Sequence, residues 1–182
     1  RETTNRADLL VFTDQFQCYK SRLSEFEDGK ASQLGDYLPQ KLGMEQGESV
    51  ISVVLTQDYS GFVLFFFENG KVAKVPLNAY ETKTNRKKLT GAYCDKSPLV
   101  SVYALQADEQ MAVYASDGRA LIFSTAQLLP KTTRNTQGVT VMSLKRKAVM
   151  NAVLPLEQSG IENQGRYRIK TIPAAGALLK PE

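Results

Sequence analysis

Basic side chains are the residues of this sequence whose number and spacing could do chemistry. The densest group is Lys83, Arg86, Lys87 and Lys88, which lie beside the hydrogen-bonding residues Thr84 and Asn85. Cations of this kind bind phosphate oxygens, and the neutral neighbours can donate to them as well. Further candidates follow on both sides of this group: Lys71, Lys74, Arg119, Lys131, Arg134, Lys145, Arg146 and Lys147. The alternative for each is a solvated charge that only aids solubility.

The charge is unevenly distributed along the 182 residues. Residues 1–60 contain 6 Lys and Arg against 10 Asp and Glu, a net charge of −4, whereas residues 61–182 contain 17 against 9, a net charge of +8. This asymmetry indicates a nucleic acid or an acidic protein surface as the partner. The cations of the first part, such as Lys20, Arg22 and Lys30, stand among acidic residues, so we expect this part to bind a nucleic acid poorly.

Several classes of function are disfavoured by composition. The chain has no histidine, which removes imidazole bases and His-containing metal sites. Cys18 and Cys94 are too few for a disulfide framework and are interpreted as reduced thiols of a cytoplasmic protein. The longest apolar run, residues 62–67, is far below the roughly 20 residues of a membrane span, so no membrane partner is expected. We assign no catalytic residue and no metal site. A start at Arg1 suggests a piece of a longer protein.

The sequence repeats itself about every 50 residues. The segments 48–55, 97–105 and 147–156 share paired apolar residues, with Val50, Leu99 and Val149 at equivalent points. Each is preceded by a hairpin-like segment, at 12–20, 66–75 and 114–123. Asn69-Gly70 and Asp117-Gly118 are the pairs typical of a type I′ turn, and Phe16 stands where the other copies have glycine.

These repeats predict an all-β fold with almost no helix. A β-propeller-like array of antiparallel blades is expected, because one such unit cannot close its own core and must stack on a neighbour. The predicted domain covers residues 1–156, with blades at about 8–56, 61–106 and 110–156. Residues 157–182 are predicted to be a partial blade or a C-terminal tail. The strand aromatics are assigned to the core and not to base stacking: Phe65, Phe66, Phe67, Tyr103, Tyr114 and Phe123.

The order of strand, glycine turn, basic return strand, loop and closing strand resembles the C-terminal β-pinwheel of bacterial type IIA topoisomerase A subunits, the gyrase A and topoisomerase IV A family. Arg134, Thr136, Gly138 and Val139 match the family's loop motif, and residues 116–123 match its hairpin. The likeness covers residues 8–156. The Gln-Arg-Arg-Gly-Gly-Lys-Gly box of gyrase A does not occur here, which favours a topoisomerase IV-like or degenerate module unless the box lies upstream of Arg1.

The resemblance implies a non-catalytic module that binds and bends double-stranded DNA in the cytoplasm. The parent A-subunit dimer would cleave DNA elsewhere, and an ATPase B subunit would handle ATP and Mg outside this fragment. The dipeptide Arg166-Tyr167 matches the family's cleavage dipeptide only in composition, so Tyr167 is interpreted as structural. A propeller-like scaffold that binds proteins and has no DNA role is the alternative hypothesis.

Overall fold

A computed structural model describes residues 8–22, 47–81 and 88–179 of the chain. These residues form short antiparallel strands, which are, in chain order, β1 (Asp8–Thr13), β2 (Gln17–Arg22), β3 (Val50–Thr56), β4 (Phe62–Phe67), β5 (Lys71–Pro76), β6 (Lys88–Thr90), β7 (Leu99–Leu105), β8 (Gln110–Ala115), β9 (Arg119–Ser124), β10 (Val139–Thr140), β11 (Met150–Pro155) and β12 (Ala177–Leu178).

The strands form three four-stranded sheets, which we call blades 1, 2 and 3. Their strand orders are β3-β1-β2-β6, β7-β4-β5-β10 and β11-β8-β9-β12. In each blade a β-hairpin occupies the middle, a longer closing strand lies at the inner edge, and a short strand lies at the outer edge. The predicted all-β, propeller-like fold class is confirmed. The division of the chain into domains stays a prediction.

The outer strand of each blade comes from a later part of the chain. Blade 1 is completed by β6, which follows the hairpin of blade 2, and blade 2 is completed by β10, which follows the hairpin of blade 3. Blade 3 is completed by β12, from the segment 157–182. The same segment covers the far face of blade 3, where Ile161 and Tyr167 pack against Ala120 and Ile122. Tyr167 is 1% exposed, in agreement with its structural interpretation.

Helical structure is confined to single turns within the described ranges. Three 3-10 turns span Leu77–Tyr80, Thr125–Gln127 and Leu156–Gln158, and one α-helical turn, α1, spans Gln164–Tyr167. Among the residues that the structure describes, no helix has the length and apolar character needed to cross a membrane.

The hairpin turns differ from the predicted type I′ geometry. Each loop has three residues, and only the last of them has a positive φ: 62° at Phe16, 86° at Gly70 and 89° at Gly118. Gly70 N donates to Phe67 O at 3.0 Å, as in a type I turn followed by a left-handed residue. Asn69 stabilises the turn through its side chain, because its Oδ1 accepts a hydrogen bond from Lys71 N at 3.0 Å. The type I′ prediction was therefore wrong, although the turn positions were right.

The hydrophobic core lies between neighbouring blades. One cluster joins blade 1 to blade 2, with Phe12 packed edge-on against Phe65 at a centroid distance of 5.3 Å. The other joins blade 2 to blade 3, where Phe66 contacts Phe123. The core assignment of the strand aromatics is confirmed, with Tyr103 and Tyr114 only half-buried. Burying one such side chain contributes about 1.5 to 3 kcal/mol.

One predicted equivalence is wrong by a single residue. Val50 lies opposite Thr13 and Leu99 opposite Phe67, but the matching residue opposite Ala115 is Met150 and not Val149. The pairing of the closing strand with the hairpin shifts at this point in all three blades, and such a bulge hides the register from sequence comparison.

Candidate nucleic-acid interface

Five of the predicted cations lie where the hairpin turns of blades 2 and 3 meet. We call them the hairpin-end group, and they are Lys71, Arg119, Lys145, Arg146 and Lys147. The segment that connects β10 to β11 runs from one turn to the other, because Val141 N donates to Gly70 O at 2.9 Å and Ser116 N donates to Val149 O at 2.8 Å. The connector that carries Lys145, Arg146 and Lys147 therefore begins beside the turn of blade 2 and ends beside the turn of blade 3.

Lys71 and Arg119 occupy the same place in successive blades, as the repeat predicted. Each is the first residue after its turn glycine and pairs with an outer strand, Lys71 with Thr140 and Arg119 with Leu178. Their surroundings differ. Lys71 Nζ donates to the neutral amide of Gln137 at 3.1 Å, whereas Arg119 Nε lies 3.6 Å from the carboxylate of Asp117.

The run Lys145, Arg146 and Lys147 forms an exposed tight turn. Ala148 N donates to Lys145 O at 2.9 Å, and Lys147 has a φ of 67°. A positive φ at this third position is typical of a type II turn, where glycine is normally preferred. All three side chains are exposed, and the turn therefore presents three positive charges to solvent.

A second group of cations lies beside blades 1 and 2. We call Lys88, Lys131 and Arg134 the junction group. Lys88 is exposed on the outer strand of blade 1 and pairs with Tyr19. Arg134 lines a polar cleft of about 380 Å³, together with Thr132, Thr133, Asn135 and Gly91. Gly91 directly follows the outer strand of blade 1, so the cleft lies between blade 1 and the loop that comes from blade 3.

Lys131 and Arg134 are both held by blade 2 through this loop. Lys131 N donates to Lys74 O at 2.9 Å, and the Lys131 side chain is exposed. Arg134 is half-buried, and its Nη1 donates to Ala79 O at 2.8 Å. Of these two predicted phosphate ligands, Arg134 therefore uses its charged group in a contact with blade 2. The charged group of Lys131 makes no such contact among the described residues.

Lys74 is a correction to the predicted site. It is 6% exposed, and its Nζ donates to Asp108 Oδ1 at 2.9 Å and to Thr125 O at 3.2 Å. The ammonium also lies 4.9 Å from the centre of the Phe62 ring. A lysine enclosed in this way cannot reach a phosphate, and we remove Lys74 from the candidate set. It joins blade 2 to the start of blade 3 instead.

Lys83, Arg86 and Lys87 lie outside the described residues, so their part of the prediction stays open. Lys88, the last member of the predicted basic run, begins the outer strand of blade 1. The basic run was expected to be part of blade 2, whose hairpin precedes it in the sequence. Its last residue, Lys88, instead belongs to blade 1, whose other strands come from the acidic part of the sequence.

Titration behaviour near the junction group reflects burial and neighbouring charge. Burial lowers the pKa of Lys20 in blade 1, and the nearby Arg134 cation lowers it further, while Asp8 opposes both. Burial raises the pKa of the Cys18 thiol to about 12, so this cysteine is protonated at neutral pH and is a weak nucleophile. Near blade 3, hydrogen bonds from Lys74 and then Thr125 hold the pKa of Asp108 below its ordinary value.

Several residues of this surface were missed by the sequence analysis. Gln137 orients Lys71, and Thr132, Thr133 and Asn135 supply the neutral donors of the cleft. Their only signal was a polar run on both sides of Arg134. Within the described ranges, no group of three or more Cys, Asp or Glu side chains is arranged to hold a metal ion.

The chain is similar to known A subunits of DNA topoisomerases. It is 24% identical over 131 residues to the A subunit of DNA topoisomerase 4 from Staphylococcus aureus, and 27% identical over 128 residues to the A subunit of DNA gyrase from Metamycoplasma arthritidis. These alignments cover 70% and 67% of this chain but only 16% and 14% of the relatives. The chain therefore spans about a sixth of the length of these relatives. No family model matches it.

Solved structures show the same fold. The C-terminal domain of DNA topoisomerase IV matches 83% of this chain with a TM-score of 0.69 at 21% identity, and 47% of that domain is covered. The DNA gyrase A C-terminal domain matches 96% of this chain with a TM-score of 0.66 at 17% identity, with 60% of it covered. The E. coli ParC C-terminal domain matches 97% with a TM-score of 0.71 at 12% identity, with 78% covered.

The described residues therefore form a stack of β-pinwheel blades. The resemblance to the C-terminal region of type IIA topoisomerase A subunits, first suggested by the turn and loop motifs, is confirmed in sequence by the relatives and in fold by the solved domains.

Proposed function

We propose that this chain is a non-catalytic DNA-binding and DNA-bending domain from the A subunit of a bacterial type IIA topoisomerase. The observation that carries the proposal is the repetition of cations on stacked blades. Lys71 and Arg119 occupy one equivalent position, and the exposed turn 145–148 lies between their hairpins. The similarity to topoisomerase A subunits supports the same function.

Such an arrangement suits a curved polyanion. Duplex DNA carries one phosphate charge per roughly 1.7 Å of its axis, and cations that neutralise these phosphates release counterions. A stack of blades turns its edges progressively, so cations on successive blades follow a bent duplex better than a straight one. Smoothly bending 20 to 30 bp costs on the order of 1 to 6 kcal/mol, which favours flexible sequences. Sequence preference through base contacts is expected to be slight, because the described helices are single turns and each described hairpin is flanked by two further strands of its sheet.

The remaining activities belong to other parts of the proposed enzyme. The A-subunit dimer would break and rejoin DNA, and an ATPase B subunit would bind ATP and Mg. Their place is the cytoplasm, with DNA as the shared substrate. The large share of each relative that lies outside the aligned region leaves room for these domains.

The test is a fluorescence anisotropy titration of a 40 bp duplex at 50 to 200 mM salt. If six to ten cations contact phosphates, affinity falls on the order of 10³- to 10⁵-fold across this range. Replacing the predicted basic run by Glu at Lys83, Arg86, Lys87 and Lys88 should abolish most of the binding. Lys170→Glu is the control, because Lys170 is exposed and lies outside the candidate set.

Two results would reject the proposal. The first is the absence of duplex binding at low salt, and the second is binding that the fourfold reversal leaves unchanged. A protein partner whose binding is insensitive to salt would instead favour the scaffold hypothesis.

A further inference from the structure

The loop 131–138 joins blade 3 to blade 2 through contacts at several of its residues. It leaves the 3-10 turn Thr125–Gln127 of blade 3, and Lys131 N donates to Lys74 O of blade 2 at 2.9 Å. Further on, Gln137 accepts from Lys71 Nζ at 3.1 Å. The loop ends in β10, which pairs with β5.

Gly138 fixes the end of this loop against blade 2. Its φ is 76°, and a Cβ at this position would lie 2.1 Å from Val72 O and 2.7 Å from Ala73 Cα. Any side chain would collide with the backbone of β5. The close approach of the two backbones therefore depends on glycine, which holds the end of the loop at one position against β5.

Arg134 is half-buried and contacts blade 2 through its side chain. Its Nη1 donates to Ala79 O at 2.8 Å, and its Cζ lies 5.9 Å from the centre of the Tyr80 ring. Tyr80 is fully buried, and its hydroxyl donates to Ala92 O at 2.6 Å. Ala92 N in turn donates to Phe16 O in the hairpin of blade 1, at 2.9 Å. Arg134 is thus linked, through Tyr80 and Ala92, to all three blades.

These contacts compete with a role in phosphate binding. One guanidinium nitrogen donates to a backbone carbonyl, and the guanidinium carbon lies over an aromatic ring, contacts that are typical of a structural arginine. We propose that Arg134 is a positioning residue, which fixes blade 1, blade 2 and the loop from blade 3 at one angle and so sets the bend of a bound duplex. This proposal rests on the proposed function, since it presupposes that DNA follows the blades.

The prediction separates bend from affinity. Arg134→Gln keeps a hydrogen-bond donor but loses the charge and the ring contact, so the blades should follow a stiff duplex instead of bending it. DNA has a persistence length of about 150 bp and straightens when its support yields. Arg134→Lys should restore part of the bend, because an ammonium can donate to Ala79 O and lie over Tyr80.

The experiment uses a 40 bp duplex with donor and acceptor dyes at its ends. Energy transfer is measured at saturating protein, so that a partly unfolded variant does not alter the bend of the complexes that form. Arg134→Gln should reduce the protein-induced rise in energy transfer by more than half. The slope of log affinity against log salt, measured on a 12 bp duplex, should stay within about 0.3 of the wild-type value, because no phosphate contact is lost.

A second variant tests the same contact without changing charge. Gly138→Ala should displace the loop from β5, because the new Cβ collides with the β5 backbone. It should therefore reduce the bend of the duplex as Arg134→Gln does. Gly165→Ala is its control, because a Cβ there meets nothing within 4 Å and the φ is not positive. Arg146→Gln is the contrasting variant, since loss of one phosphate contact should lower the salt slope by about 0.9, whereas Arg134→Gln should leave that slope unchanged.

Each outcome decides the matter. A salt slope that falls by about 0.9 in Arg134→Gln, with an unchanged bend, would show a direct phosphate ligand and overturn the proposal. An unchanged bend with an unchanged slope would overturn it as well. If wild-type protein binds no duplex, the proposed function fails first, which separates that failure from a bend that survives in the variants.

Discussion

The outer edges of blade 1 and blade 3 are built alike but offer different chemistry. Blade 1 ends in β6, where Lys88 is exposed. Blade 3 ends in β12, where Leu178 is 49% exposed and the following Leu179 is 45% exposed. Blade 2 lies between these extremes, with Val139 exposed at its edge and the Lys71 ammonium held by Gln137. A phosphate backbone is therefore better matched to the first two edges than to the third.

The outer edge of each blade is formed by a later part of the sequence, so the blade's own segment does not determine the charge of that edge. The hairpin and closing strand of blade 1 come from the acidic part of the sequence, yet its outer strand comes from the end of the densest basic run. Our expectation that the first copy binds DNA poorly counted only the residues of its own segment. Because each outer strand comes from the following segment, that segment supplies the charge of the blade's outer edge. The outer edge of blade 3 is formed by β12, which contains Ala177 and Leu178.

The two connectors between blades should differ strongly in their contribution to duplex binding. Residues 141–149 join blade 2 to blade 3 and present Lys145, Arg146 and Lys147, whereas the equivalent connector 91–98 presents only Asp95 and Lys96 as charges. Changing the three cations to Gln should weaken duplex binding on the order of 10²- to 10³-fold at 0.1 M salt, because three phosphate contacts are lost. Anisotropy titration measures the effect.

Lys96→Gln is the matched control for this connector, since Lys96 is exposed but has Asp95 beside it. Its effect should be less than about twofold, because the net charge of the pair is close to zero. An equal loss of affinity per charge removed in the two variants would mean that only net charge matters and that the position of the connector has no role.

Two lysines of β5 have different roles: Lys71 lies on the candidate DNA-binding surface, whereas Lys74 is buried. Lys74 contacts Asp108 and Thr125 and thereby links blade 2 to blade 3. Asp108→Ala should lower the free energy of unfolding by about 2 kcal/mol, because a buried ammonium loses its charged partner, although the half-exposed carboxylate limits the loss. Urea unfolding followed by circular dichroism measures this change. DNA affinity of the folded protein should be unaffected.

The same pair predicts a pH dependence. The pKa of Asp108 is lower in the folded protein than its ordinary value, because Lys74 and Thr125 donate to the carboxylate. A lowered carboxyl pKa stabilises the fold above the ordinary pKa, and this contribution is lost as the pH falls through the folded value. The stability difference between wild type and Asp108→Asn should therefore narrow below about pH 4. A difference that stays constant from about pH 7 to pH 3 would show that the charge of Asp108 has no part in it.

Sequence patterns predicted which segments form strands better than they predicted which strands pair with one another. Hairpins and closing strands were found because alternation and turn glycines are local signals. The outer strands β6, β10 and β12 have two or three residues each, too few for any periodicity, and their pairing is decided by tertiary packing. Charge alone could not separate Lys71 from Lys74, since both lie on one basic strand and only burial distinguishes them. The structural use of Arg134 was hidden for the same reason.

A smaller effect distinguishes the equivalent cations of blades 2 and 3. Lys71→Gln should weaken duplex binding about eightfold at 0.1 M salt, the equivalent of one phosphate contact. Arg119→Gln should cost less than about twofold, because Asp117 already lies beside the guanidinium and Gly176 O accepts from it at 3.3 Å. Parallel titrations of the two variants measure the ratio. Equal losses at both positions would place the duplex equally on both blades and remove the contrast between their edges.

The smallest effect concerns the turn of blade 1, where Phe16 takes the place of Gly70 and Gly118. Phe16 has a φ of 62°, a region that costs a residue with a Cβ about 1 to 2 kcal/mol, and its ring lies 5.4 Å from that of Tyr93. Phe16→Gly and Phe16→Ala lose the same aromatic contact, so only the backbone separates them. The glycine variant should be more stable than the alanine variant by about 1 kcal/mol, the reverse of the usual order. Thermal and urea unfolding of the pair measure the difference. An alanine variant of equal or greater stability would mean that the turn of blade 1 relaxes to a different conformation once the ring is gone, and that the three hairpins are less alike than their backbones indicate.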